Sequence, residues 1–185
     1  MAEFEIKMKM LMDRTERNLA AFVRESVIEI ASRIVQRSPV GNPDLWGVND
    51  VTMMNREMYQ VWREQAGKKR VSGKTLSRKF KSKAPKGYVG GRFRGNWQYG
   101  NNRKPVGDLP DIDSSGASSM GRIETGVSTS PPFAVHYITN NLPYAMALER
   151  GHSSQAPQGI VGLVALEVNG IADSALEKIK SQGWK

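Results

Sequence analysis

From Leu19 the apolar residues Leu19, Val23, Val27, Ile30 and Ile34 recur at steps of four, four, three and four. That spacing draws one stripe along an α-helix. Arg14, Glu16, Arg17, Arg24, Glu25, Glu29 and Arg33 fill most of the remaining surface, and Ser38-Pro39 stops the run. Proline biases the residue before it away from helical dihedrals and supplies no N–H to continue the ladder. A helix over about 14–37 would be roughly 35 Å long, the span of a small domain. The pattern therefore predicts that this helix is the backbone of the core. The chain has 185 residues, enough for one well-buried core with an excursion from it.

Downstream signals are shorter. Gly41, Asn42, Pro43, Asp44 and Gly47 mark a turn-rich stretch around Leu45-Trp46, after which Asp50 is expected to cap a second helix through Met54, Met58, Val61 and Trp62. Residues 68–87 are basic and punctuated by glycine, a composition that cannot bury enough apolar surface to order itself. The expected organisation is one domain, 1–185, with a core over about 14–50 and 88–182 and an inserted excursion over about 51–87. Phe93, Trp97 and Tyr99 alternate with polar residues as a strand would. Residues 101–121 read as an exposed loop, and 122–128 and 133–140 as two further strands of an antiparallel sheet. A short helix over 143–150 closes at Gly151, and Val161, Val164, Val168, Ile171, Ala175 and Ile179 predict a last helix, with a bend or a close contact at Gly170. Helix, small sheet and helix make the expected class α+β.

Charge is regional. Residues 63–104 carry fourteen basic side chains and one acid, Glu64, leaving 13 bases and 17 acids in the rest of a chain whose formal net charge is +9. Such polarity suits contact with a polyanion or an acidic protein face through one surface. The basic surface is assigned to Lys68, Lys69, Arg70, Lys74, Arg78, Lys79, Lys81, Lys83, Arg92 and Arg94. Interleaved Phe80, Tyr88, Phe93 and Trp97 could add stacking on a base. The alternative is a solvated face or a grip on an acidic protein.

Signals for catalysis are weak. Gly73-Lys74-Thr75 looks like the end of a phosphate loop, but the glycine that loop needs five positions earlier is Lys68, and no apolar strand leads in. His136 and His152 are the sole histidines and have no partner at metal-ligand spacing, and the paired serines lack the elbow of a nucleophile. The absence of cysteine removes disulfides and thiolate chemistry, which suits a reducing compartment. Glu3 and Glu5 near the start, and no long apolar run, predict a soluble chain without a signal peptide. No enzyme and no cofactor is expected. Trp184, with little beside it to pack on, is assigned as an inter-subunit anchor.

Three segments together resemble the tail-completion, or tail-to-head joining, proteins of tailed bacteriophages. They are Ser38-Pro39-Val40-Gly41-Asn42-Pro43-Asp44-Leu45-Trp46 after a long helix, the glycine, arginine and tryptophan stretch from Ala84 to Trp97, and the stretch from Asn140 to Pro157. The last is similar to that family's strand end, short helix and turn before its final helix. The resemblance implies an α+β virion protein that forms a homo-oligomeric ring at the neck, between neighbouring neck and tail-tube rings. Packaged DNA would pass through that ring, and the protein would be in the host cytoplasm during assembly. The rival from another class is a sequence-independent nucleic-acid-binding protein using the same basic segment.

Overall fold

The computed structural model describes residues 2–182, and the fold is α+β. Trp184 lies outside the described residues. The chain divides into two compact units, one of residues 1–40 with 91–185 and one of residues 41–90. The second is wider than the excursion expected over 51–87.

In the first unit, α1 runs from Ala2 to Arg37, a dozen residues earlier than the apolar stripe alone predicts. Its second half packs against α5 (Ala117–Thr129), α7 (Val161–Leu166) and α8 (Val168–Ser181). Of the expected stripe only Ile34 is buried, Val27 and Ile30 pack at the edge of the cluster and Leu19 is exposed; Ala31 and Val35, off the stripe, are buried with Ile123, Val127, Ile160, Val164 and Ile171. Two antiparallel strands, β1 (Trp97–Asn101) and β2 (His136–Asn140), pair with Trp97 opposite Asn140 and Asn101 opposite His136. Trp97 is buried at the edge-on face of Phe93, and its indole N–H donates to Ser38 Oγ at 2.7 Å. Thus the serine that ends α1 also fixes the first strand.

The structure departs from the sequence pattern at several places. Residues 122–128 are helical, so the sheet has two strands and not three. Ile123, Thr125 and Val127 alternate like a strand, but Met120, Ile123 and Val127 also fall on one helical face, and that face is the buried one. Gly126 is where the helix crosses β1, since a Cβ there would collide with the Tyr99 ring. The strand expected from Phe93 begins only at Trp97, because Arg92–Gly95 form a single helical turn, α4. That turn follows Gly91 at φ +117, where a Cβ would lie 2.5 Å from the Ser114 nitrogen.

The stretch 101–121 is not simply exposed, for Asp113, Gly116 and Ser119 are buried. The Asp113 carboxylate accepts from the Gly116 and Ser119 amides at 2.8 and 2.9 Å and from both serine hydroxyls, Ser115 and Ser119. It therefore satisfies the open amides at the start of α5 from outside the helix. Glu149, at the end of α6 (Ala145–Glu149), does the same for α7, accepting from the amides of Ile160, Val161 and Gly162 at 2.8–3.0 Å. The last helix breaks at Glu167 rather than bending at Gly170, which has open space around it. Glu167 is held there by Arg33 at 2.8 Å and Arg37 at 2.6 Å, both from α1.

Residues 41–90 form the second unit, and contrary to the composition argument 68–87 include a helix. Two 3-10 turns, Pro43–Leu45 and Gly47–Asn49, lead into α2 (Asp50–Gln65), followed by α3 (Gly73–Lys79). The cap of α2 is Asn49, not Asp50. Polar groups supply the order that apolar burial does not. Asn49 is fully buried, donating to the Pro43 and Lys83 carbonyls and accepting from the Lys83 amide at 2.7 Å. Gln60 clasps Val71 through both its N–H and its C=O, at 3.0 and 2.7 Å.

Candidate basic interface

The basic interface rests on the polar side of α2. Arg56 is buried in the middle of it, donating to the Phe80 carbonyl at 3.0 and 2.7 Å, to Ser82 Oγ at 3.0 Å and to Asp44 at 2.7 Å. Ser82 also donates to the second Asp44 oxygen. The Arg56 guanidinium, aided by the Ser82 hydroxyl, holds the Asp44 carboxyl below its ordinary value. This hub fastens both ends of the 41–90 segment to α2 and sets where the lysines of 68–83 stand.

Apolar residues take the other side. Val51, Met54, Met58, Val61 and Trp62 lie on one face of α2 and are 42 to 65% exposed. The helix is therefore turned inside out relative to an ordinary amphipathic helix, whose apolar stripe faces its own core. Above its C-terminal half, Trp62 stacks on Tyr59 at 5.8 Å between centroids, and Phe80 meets Tyr59 edge-on at 5.6 Å. Lys68 Nζ sits 5.0 Å from the Trp62 ring and Lys79 Nζ 4.9 Å from the Tyr59 ring, both within cation–π range.

The structure sorts the ten expected basic residues into four groups. Lys69, Lys74, Arg78, Lys81 and Lys83 are exposed and form no ion pair among the described residues. Lys68 and Lys79 are exposed but lie on aromatic rings. Arg70 is spent on Glu64 at 3.0 Å and Glu57 at 3.3 Å. The other two belong to the first unit and are structural. Arg92 pairs with Asp108 at 2.6 Å, and Arg94 donates to the carbonyls of Ser38 and Ser114, both at 2.7 Å, and Gln36 at 3.2 Å. Burial pushes the Arg94 guanidinium below its ordinary value, against the pull of the Asp113 carboxylate. It ties the end of α1 to the loop before α5, and lysine has no fork to reach all three carbonyls.

Residues 41–90 hold eleven bases and four acids. Ten of the fourteen bases counted over 63–104 therefore lie in one compact unit, with its lysines displayed around exposed aromatic rings. No sequence signal singled out Arg56, Asn49 or Gln60, because a polar residue on a helix looks the same whether it meets water or a carbonyl.

The weak chemical motifs dissolve in the structure. Gly73 opens α3, whose Thr75 amide is already bonded to the Ser72 hydroxyl and carbonyl. His136 accepts from or donates to Tyr99 Oη through Nδ1 at 2.7 Å and lies 2.9 Å from the Pro132 carbonyl through Nε2. The Pro132 carbonyl can only accept, so Nε2 donates and Nδ1 receives the tyrosine proton. Among the described residues no three metal-ligating side chains converge, and no helix is long and apolar enough to cross a membrane.

No protein-family model, curated protein or solved structure matches the chain.

Proposed function

We propose that this chain is a virion structural protein of a tailed bacteriophage, which completes the tail and joins it to the head as a ring at the neck. It has no catalytic step in this reading. The observation that carries it is the order of elements through the most specific resembling segment. β2 ends at Asn140, a turn leads to α6, Gly151 at φ +83 turns the chain, and α7 and α8 follow. That is the strand end, short helix, turn and final helix that the resemblance implies. The segregated charge supports the role of the other unit, with the lysines of 41–90 turned toward the phosphates of DNA in the channel. Such contacts carry no sequence preference and depend on the number of charges.

Labelled antibody against the protein should decorate one site per particle, where head meets tail; labelling along the tail or on the head surface would refute the assignment. Replacing the exposed Lys69, Lys74, Lys81 and Lys83 by glutamate is expected to lower retention of packaged DNA without preventing folding. These four lie on no ring, so their loss removes charge and not packing. Normal infectivity of that variant would move the surface away from DNA.

A second reading, a free nucleic-acid-binding protein, is favoured by one observation. Trp62 is 52% exposed and is flanked by Lys68, as a base-stacking platform would be. Tight binding of single-stranded DNA by the isolated protein, lost in Trp62→Ala and falling steeply with salt, would decide for it.

A further inference from the structure

The first four turns of α1 contribute nothing to the buried core cluster. Every residue from Phe4 to Arg17 is exposed, and burial begins only at Asn18. This stretch is roughly 20 Å of helix at about 1.5 Å per residue. An isolated helix of this length is marginal in water, where most helical stability comes from covering an apolar face. Such a face exists here. Phe4, Met8, Leu11 and Thr15 follow one another at steps of four, three and four, with Met12 and Leu19 beside them.

At the base of the stripe Leu11, Met12, Thr15 and Leu19 line an open groove of about 550 Å³, closed on its far side by Phe133. Phe4, Met8, Leu11, Met12, Leu19 and Phe133 are 42 to 67% exposed.

We propose that a second copy of this chain covers the face, helix to helix, so that the protein self-associates through the N-terminal half of α1. Three observations choose that occupant. The steps of four, three and four span eleven residues, so the stripe runs nearly straight along the helix and can seat lengthwise against a second helix carrying the same stripe. Six side chains of about 200 Å² each, roughly half exposed, offer about 600–700 Å² per copy, close to the ~800 Å² per partner of a stable interface. Finally, Phe4 to Arg17 holds four bases and three acids. The stretch is therefore close to neutral, and two copies of it do not repel one another. The same balance argues against a membrane surface, for which the polar face would be dominated by lysine and arginine. The inference concerns the isolated protein and holds whether or not it is a neck protein.

Sedimentation velocity of the full chain is the test. The unmodified protein is expected to sediment as a dimer or larger at tens of micromolar, and Met8→Glu with Leu11→Glu to sediment as a monomer, with association weakened ~100-fold or more. Near-UV circular dichroism should be unchanged in the variant, since the core around Trp97 begins beyond the substituted turns. A monomeric unmodified protein, or association that persists in the glutamate variant, would overturn the proposal. So would a monomer that instead pellets with vesicles of anionic lipid. If the variant loses its near-UV signal, Leu11→Cys decides. The chain has no cysteine of its own. A disulfide-linked pair under mild oxidation supports pairing at this face, and its absence refutes it.

Discussion

Arg56→Ala is expected to release residues 41–90 from their folded state. Arg56 is the one side chain that bonds α2 to the Phe80 carbonyl, to Ser82 and to Asp44 together. Truncating it strands a carbonyl that is accepting two charge-assisted bonds, and leaves the Asp44 carboxylate without its cation. Removing one partner of a buried ion pair costs about 3–5 kcal/mol, because the survivor is left desolvated and unpaired. Asp44 keeps about a third of its side-chain exposure, so the lower half of that range applies. Few apolar contacts stand behind the hub to absorb the loss. Hydrogen exchange should show the amides of α2, Val71 and Lys83 becoming fast while those of α5 keep their protection. Unchanged protection in α2 would mean that something other than the hub holds the segment.

Asp113→Ala carries the second large effect, in the other unit. Four donors converge on that carboxylate, two of them amides at the start of α5, and hydrogen bonds to an ionised group contribute about 1.5–3 kcal/mol each when probed singly. These share one acceptor and are not additive, so about 3 kcal/mol is expected. That corresponds to a fall in Tm of about 6–12 °C for a chain of this size.

The pH dependence has a definite sign. Burial pushes the Asp113 carboxyl up, but the bonds from Ser119, Ser115 and Gly116 outweigh it and hold the group below its ordinary value. A carboxyl lowered on folding stabilises the protein fully above its unfolded value, about 3.9, and that stability is lost as pH falls through the folded value. The Tm gap between the unmodified protein and Asp113→Asn should therefore be constant from neutral pH to about pH 5 and narrow below about pH 4. A gap that widens on acidification would contradict the assignment.

The sequence disclosed the parts of this fold whose reasons are local. The stop at Ser38-Pro39 and the glycine turn after α6 each depend on a few neighbouring residues and fall close to where the pattern puts them, whereas the stripe in α1 meets the core only from Val27 onward. Helix α5 was misread because a seven-residue window with Ile123, Thr125 and Val127 satisfies both periods. What decided between them was the approach of Gly126 to Tyr99, a long-range contact. The candidate interface was legible as a density of positive charge and illegible in its wiring. Arg70 and Lys69 are adjacent and chemically alike. One closes on Glu57 and Glu64 while the other forms no ion pair, and only the course of the loop distinguishes them. Arg94 likewise looked like surface charge and is a brace between α1 and the start of α5.

Among the described residues of 41–90, the buried ones are Asn49, Arg56 and Gln60. Melting this segment would hydrate amide, guanidinium and carbonyl groups and little hydrocarbon beyond some half-covered rings. Exposure of apolar surface raises the heat capacity on unfolding and exposure of polar surface lowers it, so its increment should be small where that of the apolar-cored unit is large and positive. Its stability curve is then nearly straight in temperature, without the downturn on cooling that a fading hydrophobic drive gives. On cooling, the basic unit should therefore lose less of its stability than the apolar-cored unit, and its lysines should stay in place.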